Sequence, residues 1–346
     1  MTKTIACGFA SLILLAGPSE LTLSTDYQSG LNLRLEHTTS LVMETTAFEV
    51  LRNGEPMDLD GFGDDGSSDE RTVVTIDRIV EAADGVPTKL TREFETVEGT
   101  RTSGRRGEEL YLCPLDGVTL ELRLEDEEVE VEVTDGDEPD DEAALEGHRL
   151  RLLTDALLPE GEVESDASWE LSGEQVARVL GLDLDRAMFA REPRGEGGGR
   201  EGGRGRGPGG RGGAGGGALS LFRAAEWTAT ATLVDTAEDL DGDTCARIEF
   251  VFEAEGELAE PEFGGGRGRM FEPKTARPFE STYEIELKGF LLFSVESRLP
   301  RRMEIEGTLA TEMNTVRERG DMSIEMQREE VGTFECTLEV TEAEDA

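Results

Sequence analysis

The residues best suited to chemistry stand in one short stretch, DLDGFGDDGSSDE at positions 58–70. Asp58, Asp60, Asp64 and Asp65, with Asp69 and Glu70 behind them, offer carboxylate oxygens on a glycine-punctuated loop. That is the setting in which calcium is bound. The spacing is not that of an EF-hand, because Phe62 stands where a ligand is needed. These four aspartates are the candidate metal site and calcium the candidate ion; no other cofactor is indicated. The competing reading is a solvated acidic loop, since Asp-Gly pairs also serve plain turns. Asp239, Asp241 and Asp243 offer a smaller version of the same arrangement.

Catalytic patterns find little support. The two histidines, His37 and His148, belong to no zinc-protease motif, and no G-x-S-x-G elbow is present. With 77 acids in the chain, a glycosidase-like carboxylate pair cannot be picked out from the sequence. Trp169 and Trp227 are read as core residues before cavity walls. Cys113, Cys245 and Cys336 lack CxxC spacing, which argues against zinc; they allow one disulfide with a thiol left over, or three small buried side chains.

The elements that must position any site are mostly strands. Leu31, Leu33 and Leu35 alternate with polar residues, and positions 71–82 and 88–97 read as two strands joined across Asp84-Gly85, followed by a basic loop over 100–107. Leu120, Leu122 and Leu124 should face Val129, Val131 and Val133 in a hairpin whose outward residues are nearly all glutamate. From Phe279 to Val340 the pattern predicts four or five strands, with breaks near Gly289, Pro300, Arg319-Gly320 and Gly332. The period changes only in the middle. Leucines between 145 and 158 suggest a short helix ending at Pro159, and Ser172 with Gln175 forms a capping-box signal before a second one.

The fold class expected is therefore mainly β: antiparallel meander sheets, as a curved sheet, open barrel or sandwich, with a short central helical segment. The parts are a signal peptide over 1–24, an N-terminal β half over 25–138, a helical connector over 139–190, a disordered Gly/Arg-rich loop over 191–217 and a C-terminal β half over 218–346. The loop is set by composition: 15 of the 23 residues from Gly195 to Gly217 are glycine. Its arginines resemble RGG segments, but no aromatic residues are interleaved to stack on bases.

Charge and export narrow the function. A formal charge of −43 repels nucleic acid and anionic membrane surfaces and attracts cations or basic partners. Only four basic residues are lysine, which fits either a salt-adapted surface or a GC-rich genome. Lys3 followed by the apolar run Ile5–Gly17 reads as an export signal, with cleavage between Gly17 and Thr25. Leu15-Ala16-Gly17 is followed by Pro18, where a lipoprotein needs cysteine. No later apolar run is long enough for a membrane helix, so no integral membrane segment is expected once the signal is removed.

The central segment Leu157-Leu158-Pro159, Val163, Ser168-Trp169 with its capped helix resembles a pattern in exported bacterial β-rich proteins of unknown function. Asp166-Ala167 stands where that pattern has Gly-Asp, and the likeness covers about 25 residues. It implies a periplasmic or cell-surface location and brings no catalytic residues. Three functions follow as expectations. The first is an exported, non-enzymatic acidic protein of the envelope that binds a protein or surface component. The second is a carrier of an apolar ligand in a curved-sheet cavity. The third is a carboxylate-pair hydrolase.

Overall fold

A computed structural model describes residues 21–57, 66–104, 107–182, 184, 188–191, 219–257, 280–319 and 322–343. The N-terminal part runs through β1 (Leu21–Thr22), β2 (Asn32–Arg52), β3 (Glu55–Pro56), β4 (Ser67–Ala83), β5 (Val86–Ser103), β6 (Gly107–Leu112), β7 (Thr119–Glu125) and β8 (Glu128–Asp135). A connector follows, with 3-10 turns at Glu142–Leu145 and Leu153–Leu157, then β9 (Glu162–Val163), β10 (Ser168–Leu171), helix α1 (Gly173–Val179) and β11 (Ala190–Arg191). Helix α2 (Leu219–Ala224) leads into β12 (Trp227–Leu240), β13 (Asp243–Glu257), β14 (Glu280–Ser294), β15 (Pro300–Arg319) and β16 (Met322–Glu342).

All strands but β1 and β9 belong to one 14-stranded sheet, ordered β10-β12-β13-β14-β15-β16-β2-β4-β5-β6-β11, with β3 also paired to β2, β7 branching from β5, and β8 paired to β7. Every pairing is antiparallel, and the sheet is curved without closing into a barrel. The two halves meet where β16 pairs with β2, from Ile324↔Arg52 to Glu342↔Leu33. They share one contiguous apolar cluster rather than facing each other as a sandwich.

Local sequence explains the hairpins. Asp84-Gly85 and Asp241-Gly242 hold positive φ at both positions, as a two-residue turn between right-twisted strands requires. The β7–β8 register is the one that alternation predicts: Leu120↔Val133, Leu122↔Val131, Leu124↔Val129. The capping box forms in full, with the Ser172 hydroxyl accepting from the Gln175 amide and the Gln175 side chain accepting from the Ser172 amide.

Three expectations are corrected. Gly289 and Gly332 do not break strands, so β14, β15 and β16 are three long strands rather than four or five. Gly289, Gly307 and Gly332 lie on the inner face of successive strands, each displaced two residues from the last in register. A Cβ at Gly289 would overlap the Glu304 carbonyl and come within 2.7 Å of the Phe250 ring, so the missing side chain is what lets the sheet curl there. The helix expected over the leucines of 145–158 is instead two 3-10 turns and extended chain, because Gly147 sits at φ 79 and the leucines follow the sheet surface that they cover. The basic stretch expected as a loop over 100–107 is strand as far as Ser103.

Candidate functional site

The inner face of the sheet is covered by the connector and α2, and the two layers interlock through aromatic side chains. Phe222 of α2 packs edge-on against Phe334 of β16, 5.0 Å between centroids. Both tryptophans serve this packing: the Trp227 indole donates to the Phe222 carbonyl and the Trp169 indole to the Leu157 carbonyl, each at 3.0 Å. Neither lines the cavity described next.

Where the connector crosses β2, β4 and β5, the fill is incomplete. A cavity of about 90 Å³ remains between the sheet and the connector. One water needs roughly 10–15 Å³ on this measure, so there is room for several waters or one small apolar group. Leu35, Val73, Phe94 and Leu338 line it from the sheet, and Leu152, Leu180 and Phe189 close it from the connector. Twenty described residues line it in all; four are arginines, Arg71, Arg92, Arg149 and Arg151, and none is Asp or Glu.

The polar groups around it are held tightly. Arg92 grips Asp77 through two bonds of 2.7 and 2.6 Å, and also donates to the Arg149 carbonyl. Both charges of that pair are buried, which is tolerable only because each satisfies the other. Arg71 grips Asp69 in the same two-bond manner and lies between the Tyr111 and Phe189 rings, 4.8 Å from each centroid. Tyr111 donates to Asp69 at 2.5 Å. At the connector, Asp155 accepts from Thr25 and from Tyr27, whose hydroxyl in turn accepts the Leu152 amide. Burial raises the pKa of Asp155, and burial beside Asp155 raises that of Tyr27.

Sequence reasoning missed one pair in the cavity wall. His37 Nε2 lies 3.1 Å from Cys336 Sγ, across the β2–β16 pairing. The two are 299 residues apart, so only the strand register could have revealed them. They do not form a nucleophilic dyad. Burial lowers the His37 imidazole to about 4 and pushes the Cys336 thiol up to about 12, so both are neutral and no thiolate is drawn out. His37 also lines the cavity. His148 is likewise lowered to about 4 by burial, with Nε2 donating to the Ala144 carbonyl.

Asp58, Asp60, Asp64 and Asp65 lie outside the described residues. Asp69 and Glu70, read as part of that loop, belong to β4, and Asp69 is committed to Arg71 and Tyr111. Of the second acidic turn, Asp243 is taken by Ser294 and Arg301, at 2.8 and 2.9 Å. Among the described residues no group of three or more His, Cys, Asp or Glu is placed to hold a metal ion. Cys113, Cys245 and Cys336 are free thiols, so the disulfide left open by the sequence is not formed. The Gly/Arg stretch after Arg191 lies outside the described residues. No helix among the described residues is long and apolar enough to cross a membrane.

No protein-family model matches the chain, and a search of curated proteins finds no match. The cavity and its wall are therefore the ground for a functional reading.

Proposed function

We propose that this protein is an exported carrier that holds an apolar ligand between its curved sheet and the connector. The observation that carries the reading is the unfilled, mostly apolar cavity at the one place where the connector crosses β2, β4 and β5. Tightly packed interiors leave few such spaces, and a concave, mostly apolar space with a few converging polar groups is the usual form of a small-ligand site. A hydrolase needs an acid and a base at the reacting bond, and no carboxylate is among the described residues of the wall. Export rests on the N-terminal apolar run and on the resemblance of the central segment. Residues Leu21–Tyr27 are packed into the fold: Leu23 is buried, Leu21 pairs with Val163, and Arg298 binds Ser24. Processing that preserves these contacts cuts before Leu21.

A second reading, recognition of a basic partner by the outer face, draws on a shallow trough lined by Val42, Glu44, Glu284, Glu286 and Val331. It is a more polar surface than the cavity, which supports the carrier better.

Crystals pressurised with xenon test the carrier reading. A dry apolar cavity takes up xenon. The expected result is an anomalous peak between Leu35, Leu180 and Leu338. Crystals that show no peak there, or water in its place, would count against an apolar ligand.

A further inference from the structure

We infer that the ligand is an apolar anion, with its carboxylate or phosphate directed at the arginines of the cavity wall; this rests on the carrier reading above. The chain holds 77 acids against 34 Lys and Arg, yet the described wall of the cavity holds four arginines and no acid. The charge ratio of the chain is thus reversed in the described part of this wall. All four bases are arginine, whose planar fork matches carboxylate and phosphate oxygens in pairs.

The four do not contribute equally. The charge of Arg92 is answered by Asp77 and that of Arg71 by Asp69, each through a two-bond contact from behind the wall. Arg151 is exposed and stands at the connector beside Asp155. The Asp155 oxygens already accept from the hydroxyls of Thr25 and Tyr27. Arg149 is half-buried and makes contacts of its own. Arg151, the one exposed arginine of the four, is therefore the cation that an incoming anion reaches first, and Leu152 and Leu180 line the same cavity. The chain's strong negative field excludes polyanions, but it is screened beyond roughly 8 Å at physiological salt, so a small singly charged ligand can approach. About 90 Å³ of space admits a short or compact apolar body.

The experiment compares three probes of one short chain length, butanoate, butyl phosphate and butanol, by NMR titration of the full chain and its Arg151→Gln variant. Butanoate, butyl phosphate or both should bind at least tenfold more tightly than butanol, and which of the two leads identifies the headgroup. In R151Q that preference should fall several-fold while butanol affinity stays put. A purely structural role for Arg151 would move stability but not the ratio. Butanol binding as tightly as both anions would overturn the inference and leave the carrier reading standing. Binding of none of the three would overturn both.

Discussion

His37 and His148 tie stability to pH. Both have folded pKa values lowered to about 4 by burial, against about 6.5 for an ordinary histidine. The unfolded chain therefore binds more protons between those values. Stability from this source is complete above about pH 6.5 and is lost as pH falls toward 4, by at most about 1.4 kcal/mol per pH unit for each histidine. Asp155 works in the opposite sense, because its raised pKa favours the folded state at lower pH. The melting temperature should fall between pH 6.5 and 4.5, and His37→Asn should make that fall shallower. An unchanged slope in His37→Asn would mean that the imidazole is not held neutral. At this scale the sequence was least informative. His37 belonged to no zinc-protease motif, and Arg71, Arg92 and Arg151 carried no motif either. Their roles come from register and from the path of the connector, neither of which leaves a local signal.

The strands were largely legible, because period-2 alternation and Asp-Gly turns act over a few residues. The interior glycines were misread for the same reason: a glycine in a strand signals a break locally, whereas here it signals the approach of a neighbour. Gly289 and Gly307 each face a carbonyl of the adjacent strand where a Cβ would go. Gly289→Ala or Gly307→Ala should therefore cost at least the roughly 1–3 kcal/mol usual for overpacking. Gly173→Ala, at the start of α1 where the nearest atom to a Cβ is 4.0 Å away, should be close to neutral. Urea midpoints of the three variants decide this. Equal effects would mean that the curl of the sheet does not depend on these glycines. The connector was legible only as far as its capping box. Its leucines are spaced to cover a curved surface, which matches neither a helical nor a strand period.

At the scale of the whole molecule, the sequence showed two β-rich halves around a helical segment. It could not show that β16 joins β2, which makes the halves one sheet and places the connector on its inner face. That pairing links residues some 300 positions apart, and it is what brings Leu35 of β2 and Leu338 of β16 to one cavity wall. The acidic surface belongs to the outside of this arrangement, while the described cavity wall is apolar and basic. This arrangement sets where a ligand should go as well as its chemistry. The most direct measurement is a butanol titration followed by methyl NMR of the leucine- and valine-labelled full chain. Saturable shifts should centre on Leu35, Val73, Leu180 and Leu338 and spare the outer Val42 and Val331. Shifts confined to the outer face, or none that saturate, would contradict a ligand site between sheet and connector.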